Sequence, residues 1–175
     1  MAQALPKHFD VDPEVRRPFD YSRFEPSVRR RLSAPAMRTF LMISDLWGLN
    51  EQQRRLILGY PSRSSYHNWA KLAREHQDFT LDVDVLTRIS AVLGIHQGLG
   101  ILYPSERDAV SWLRGPHDGM VFGGQPPLAL ITNGSQDALL TVRRFLDAAR
   151  GGQYMEPNGA DVDFSPYDEA EIVLT

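Results

Sequence analysis

The stretch from Trp112 to Gly134 constrains the fold more than any other, because it joins two helices through a short connection rich in glycine and proline. Gly115-Pro116 must end the helix that precedes it, and Gly123-Gly124 allows backbone angles that other residues adopt only at a cost. Pro126-Pro127 presets the first turn of a further short helix. The sequence therefore predicts a compact connection between helices at this point.

Both helices that flank this connection carry clear start signals. Ser105 can cap the first helix, with an acid three residues on at Asp108. Asn133-Gly134 closes the short helix, and Ser135 caps the clearest amphipathic helix in the chain. The apolar residues of that last helix recur at helical spacing, at Ala138, Leu139, Val142, Phe145, Leu146 and Ala149.

The order of these residues resembles the C-terminal toxin-binding domain of the Xre/MbcA/ParS antitoxins. The resemblance rests on Trp-Leu, then Phe-Gly-Gly-x-x-Pro-Leu-x-Leu, then glycine and an amphipathic helix ending in Gly151-Gly152. It runs from about Ile101 to Tyr154, and more loosely from about Leu32. The chain departs from the pattern by the double proline at Pro126 and by continuing beyond the point where many relatives end. The motif residues with an expected structural role are Trp112, Leu113, Phe122, Gly123, Gly124, Pro127, Leu128 and Gly134.

The resemblance implies an antitoxin that neutralises a RES-domain toxin, an NAD-consuming enzyme related in fold to ADP-ribosyltransferases, by obstructing its active site. It also implies an N-terminal helix-turn-helix domain that binds operator DNA, a homodimer, larger toxin-antitoxin assemblies and no cofactor. We expect the toxin to contact the last helix and the tail. The candidate toxin-binding residues are Arg143, Arg144, Arg150, Tyr154, Phe164 and Tyr167.

Charge is distributed unevenly along the chain. Residues 1–75 hold thirteen Lys or Arg against eight Asp or Glu, whereas residues 76–152 hold six against eight. Residues 153–175 carry six acids and no base. The basic part suits a polyanion, and the acidic end suits either a basic partner surface or simple solvation.

Composition argues against several classes of site. The chain has no cysteine, and its five histidines do not show the spacing of metal ligands. Neither a membrane-spanning stretch nor a signal peptide is recognised, so we expect a cytoplasmic protein without a metal site. Phosphate-binding loops and nucleophile elbows are not found either. These observations indicate a binding protein rather than an enzyme.

Prolines interrupt the first thirty-two residues, which we expect to form an irregular arm. Arg29, Arg30 and Arg31 at its end lie either along a phosphate backbone or in solvent. The first helix is expected to begin near Ser33, with Pro35 in its first turn, and to end at Gly48.

A helix-turn-helix pattern follows. Asn50 caps a second helix to Leu58, Gly59-Tyr60-Pro61 forms a tight turn, and Ser62 caps a third helix ending near Glu75. This arrangement places a helix in the DNA major groove. The candidate DNA-binding residues on the third helix are Arg63, Ser64, Ser65, His67, Asn68 and Lys71. Arg55 stands where many such proteins have alanine, so a core helix pair without DNA contact stays open.

The fourth helix is expected to start at a Thr80 cap and to end at Gly94, and a short irregular helix to span Ile95–Tyr103. The predicted organisation is therefore mainly all-α. An arm (1–32) precedes the helix-turn-helix domain (33–100), which is followed by a small helical toxin-binding domain (101–154) and an acidic tail (155–175). The tail is expected to order on a partner, on its own body, or as an edge strand.

Two other functions remain open at this stage. The chain is also compatible with a stand-alone transcription regulator whose C-terminal part only dimerises, and with a protein-interaction module that does not bind DNA. An adjacent reading frame coding a RES-type enzyme would favour the antitoxin over the first, and binding to its own promoter would exclude the second.

Overall fold

A computed structural model describes residues 22–151, and within this range the chain forms seven α-helices and no strand, which confirms the all-α prediction. A 3-10 turn at Ser22–Phe24 precedes the helices. The expected toxin contacts Tyr154, Phe164 and Tyr167 lie outside the described residues. The helices are α1 (Pro26–Leu46), α2 (Glu51–Ile57), α3 (Arg63–Arg74), α4 (Val83–Leu102), α5 (Glu106–Arg114), α6 (Pro127–Ile131) and α7 (Gln136–Arg150).

Four of the predicted helix starts are confirmed by cap hydrogen bonds. The Asn50 side chain accepts from the backbone N–H of Gln53 at 2.9 Å, and the Gln53 side chain accepts from the backbone N–H of Asn50 at 3.0 Å. This reciprocal pair satisfies donors that a helix N-terminus otherwise leaves unpaired. The serine hydroxyls that cap α3, α5 and α7 belong to Ser62, Ser105 and Ser135.

The predicted start of the first helix near Ser33 is wrong, because α1 begins at Pro26 and carries Pro35 in its interior. Tertiary contacts hold these early turns in place. Arg29 donates from Nη1 to the carbonyl oxygen of Leu81 at 3.2 Å, and the backbone N–H of Leu81 donates to the buried Ser33 hydroxyl at 2.8 Å. The segment before α4 therefore stabilises helix where proline spacing alone suggested an irregular arm.

The predicted end of the fourth helix at Gly94 is also wrong. A single helix, α4, runs through Gly94 to Leu102, so the predicted irregular helix over Ile95–Tyr103 is its last part. Its N-cap position is Asp82 rather than Thr80.

Packing against α7 explains why glycine is tolerated inside α4. A Cβ placed on Gly98 would lie 3.2 Å from Leu146 Cβ, and one on Gly94 would overlap the Arg143 side chain. The missing side chains let α7 approach α4 closely. The gain in packing thus outweighs the poor helix propensity of glycine, which costs about 1 kcal/mol relative to alanine.

Helix α4 lies at the centre of one hydrophobic core that spans both predicted domains. Phe40 of α1, Trp47 at its C-cap, Ile95 of α4 and Leu113 of α5 all belong to the same buried cluster. Among the described residues, α4 is the one helix that is long and apolar enough to cross a membrane, judged by length and composition alone. Its packing against α1 and α7 is typical of a core helix.

Candidate binding surfaces

The first surface is the polar face of α3. The candidate DNA contacts on this helix are exposed except for Ser65, which is partly buried. Ser64 and Ser65 hold their hydroxyl oxygens 2.9 and 2.8 Å from the Ser62 Oγ that caps the helix. The exposed residues are Arg63, Ser64, His67, Asn68 and Lys71.

Glu51 of α2 pairs with two of these side chains. Its carboxylate lies 2.9 Å from Arg63 Nε and 3.3 Å from His67 Nε2. Exposed ion pairs of this kind contribute little to stability. They do restrict the rotamers of Arg63 and His67, and they reduce the positive charge on the face that a phosphate backbone would approach.

The turn between α2 and α3 is built around Arg55, the residue that departs from the usual helix-turn-helix pattern. Its Nε donates to the carbonyl oxygen of Pro61 at 2.9 Å, and its guanidinium lies 4.5 Å from the centre of the Tyr60 ring. Gly59 and Tyr60 both have positive φ, of 86° and 60°. Arg55 therefore replaces close packing of a small residue with a hydrogen bond and a cation–π contact across the turn.

A cluster of rings forms the second region, where α5, α6 and α7 meet. The Trp112 ring stacks on Phe145 with centroids 6.0 Å apart, and Phe122 meets Phe145 edge-on at 4.8 Å. Phe122 is buried, whereas Trp112 is only partly so. His117 lies 5.0 Å from Trp112 and places Nε2 2.8 Å from the Trp112 carbonyl oxygen. Burial also raises the pKa of the phenol of Tyr103, which lies beside Trp112.

Gly123 and Gly124 shape the loop between α5 and α6, beside this ring cluster. Gly123 and Gly124 have φ of 55° and 80°, in the region that glycine adopts at little cost. The Gly124 N–H donates to the carbonyl oxygen of His117 at 2.9 Å and closes the loop. The sequence motif includes the glycines and Phe122 but not His117. His117 lies between Pro116 and Asp118, outside any periodic apolar pattern.

The remaining motif residues pack the short α6 helix into the core. Leu113, Pro127 and Leu128 are buried. Gly134 has φ of 90° and would place a Cβ 3.2 Å from Leu56 Cδ2 of α2. The motif thus lies against α2 as well as α7.

The three α7 arginines chosen as toxin contacts all have partners within the chain. Arg143 donates from Nη1 to the Ser90 carbonyl oxygen at 3.0 Å and lies 3.4 Å from Asp147. Arg150 lies 3.5 Å from the same carboxylate. Arg144 is the most accessible, with 65% of its side chain exposed and a 3.7 Å contact to Asp137. Its guanidinium is the freest of the three to reach a partner.

Two further arginines join the two regions. Neither is among the residues predicted from the sequence. Arg114 of α5 donates from Nη2 to the Trp47 carbonyl oxygen at 2.6 Å. Arg88 of α4 donates from Nη1 to the carbonyl oxygens of Gly134 at 3.1 Å and Ile57 at 3.4 Å. Arg114 therefore holds the C-terminal end of α1, and Arg88 links the C-terminal end of α2 to the turn before α7. Only the folded structure reveals this role, because the bonds span 31 residues or more.

No group of three or more His, Asp or Glu side chains able to hold a metal ion occurs within residues 22–151.

Comparison with known proteins places the second region in a family. Residues 99–152 match the model of the antitoxin Xre/MbcA/ParS C-terminal toxin-binding domain. The chain is also 34% identical over 116 residues to the uncharacterized protein y4oB of Sinorhizobium fredii, an alignment covering 66% of this chain and 84% of that protein. The matched segment contains α5, α6 and α7 together with the last turn of α4.

Proposed function

This chain belongs to the Xre/MbcA/ParS antitoxin family, and we propose that it blocks a RES-domain toxin and represses its own operon. The observation that carries the proposal is the coincidence of the matched segment, 99–152, with the unit built on the ring cluster and α7. A family of this kind acts by binding a toxin protein rather than by catalysis.

Neutralisation requires a surface that covers the entrance to the active site of the toxin. A RES-domain toxin consumes NAD, and the antitoxin obstructs its site. Arg144 supplies an exposed cation for this purpose, whereas Arg143 and Arg150 first have to leave Asp147. The tail from Gln153 onward, with Tyr154, Phe164 and Tyr167, is the second proposed contact. Its six acids suit a basic rim around a nucleotide site.

Repression would use α3. Arg63 and Asn68 carry side chains that hydrogen-bond guanine and adenine edges, and both are exposed near the N-terminal half of the helix. One helix covers few base pairs, so we propose that a homodimer places two copies of α3 on half-sites about one helical turn apart. Lys71 would contact phosphate and add salt dependence.

Co-expression with the product of the neighbouring gene, which we expect to be a RES-domain toxin, tests the antitoxin function. The full chain should co-purify with that protein and protect cells from it. Deleting residues 153–175 should weaken protection while leaving a folded chain that binds DNA. Equal protection by the truncated chain would move the blocking role to α7, and failure of the full chain to bind would reject the function.

A further inference from the structure

A loop tip between α5 and α6 carries the most exposed large apolar side chain among the described residues. Met120 has a relative exposure of 103%, compared with 59% for Met42 and 56% for Ile101. Asp118 and Gly119, which precede it, are exposed as well. A single exposed apolar side chain is ordinary in itself. Met120 differs because hydrogen bonds and ring contacts fix the backbone on both sides of it.

The two ends of the tip are anchored in the ring cluster. On one side the His117 ring lies 5.0 Å from Trp112, with Nε2 bonded to the Trp112 carbonyl oxygen. On the other side Phe122 is buried against Phe145. Backbone hydrogen bonds from Phe122 and Gly123 to the carbonyl oxygen of Gly119, at 3.0 and 2.9 Å, close the turn. The tip therefore has a defined shape before any partner binds.

The tip also stands clear of the rest of the protein. A Cβ built on Gly119 or on Gly123 would meet no atom within 4 Å. The Met120 side chain thus projects into solvent and packs against no other part of the chain. A thioether side chain is flexible and polarisable, and it fits apolar pockets of irregular shape.

We propose that this tip, residues 118–121, is a toxin contact that inserts Met120 into an apolar pocket of the toxin. The inference rests on the proposed antitoxin function, and it adds an element to the expected arginine and tail contacts. The tip lies within the segment that matches a toxin-binding domain, which favours the toxin over other occupants. Because the loop is already ordered, binding would cost little conformational entropy, and Met120 would act as an anchoring side chain.

Substitution of Met120 by serine tests the contact, with Met42→Ser on α1 as the matched control. Both side chains are exposed, so both variants should unfold at the same temperature as the unchanged chain. The binding partner is the purified RES-domain toxin of the proposed function, and affinity is measured by calorimetry. We expect the Kd to rise about tenfold or more for Met120→Ser. Met42→Ser and the conservative Met120→Leu should bind as the unchanged chain does.

The outcomes separate this inference from the proposed function. Binding by the unchanged chain that Met120→Ser does not weaken would overturn the loop contact alone. No binding by the unchanged chain would reject both. Sedimentation velocity tests whether the tip instead contacts a second copy of this chain. If Met120→Ser changes self-association but preserves toxin affinity, the tip is a self-association contact and the proposed toxin contact is wrong.

Discussion

The α2–α3 pair and the α5–α7 unit differ in where their candidate residues lie. On α3 the candidate contacts are polar side chains in solvent, held by surface pairs such as Glu51 with Arg63. In the α5–α7 unit the recognisable motif residues are mostly buried and form the ring cluster, as Phe122 does. The family pattern in the second region therefore follows the buried scaffold, and we expect the residues that contact a partner to lie on the surface of that scaffold.

The candidate contacts of α3 and the motif residues of the α5–α7 unit should therefore respond differently to substitution. Replacing an exposed polar residue of α3 should change binding without changing the fold. Replacing a motif residue such as Phe122 should change the fold first and binding only as a consequence.

The largest effect is expected from ending the chain at residue 100. The truncation removes α5–α7 and exposes Ile95 and Leu99 of α4. It also deletes the bond from Arg114 to the Trp47 carbonyl oxygen and the bond from Arg88 to the Gly134 carbonyl oxygen. We expect no cooperative thermal transition by circular dichroism, while a chain ending at residue 152 should unfold cooperatively. A sharp transition in the shorter chain would show that the two regions fold independently.

Phe122→Ala should be the most costly single substitution. It removes a buried ring that contacts Trp112 and Phe145, and such losses cost about 3–5 kcal/mol. Urea unfolding measures the change, with Met120→Ala as the neighbouring exposed control, which should stay within about 0.5 kcal/mol. A loss below about 1 kcal/mol for Phe122→Ala would mean that the ring cluster does not hold the unit together.

Two glycines of α4 provide a matched pair for the α4–α7 contact. Gly98→Leu should destabilise the protein by about 1–3 kcal/mol, because the new side chain meets Leu146. Gly100 has no atom near its missing Cβ, so Gly100→Leu should be neutral or stabilising by up to about 1 kcal/mol. Thermal unfolding of both variants checks the contrast, and equal effects would argue against close packing at Gly98.

The smallest effect on stability is expected on α3. Arg63→Ala and Asn68→Ala should change stability by less than about 0.5 kcal/mol. Each should weaken binding to operator DNA by about 1–3 kcal/mol. Lys71→Ala should lower affinity for all sequences and flatten the salt dependence. Filter binding with a fragment of the chain's own promoter measures these changes, and unchanged binding by the first two variants would remove α3 as the reading helix.

Local signals made much of the fold predictable. The caps at Asn50, Ser62, Ser105 and Ser135 are contacts between near neighbours, so residue order alone reveals them. The early start of α1 and the continuity of α4 depend instead on distant partners. Leu81 holds Ser33 across 48 residues, and α7 covers the glycines of α4. Propensity rules do not include such contacts.

The candidate surfaces were predictable to different degrees. The exposed face of α3 followed from helical spacing, and the structure places Arg63, His67 and Asn68 on it. The bond from Arg143 to the Ser90 carbonyl oxygen was not foreseen, because an arginine on an amphipathic helix looks free in sequence. The exposure of Met120 was likewise not visible in a sequence that surrounds it with glycine and valine.

Consumption of NAD by the proposed partner, a purified RES-domain toxin, decides whether this chain acts as an antitoxin. We expect the full chain, added in equimolar amount, to abolish consumption. The Arg63→Ala chain should do so equally well, because Arg63 is proposed to contact DNA and not the toxin. An undiminished rate of NAD consumption in the presence of excess full chain would rule out the proposed antitoxin function.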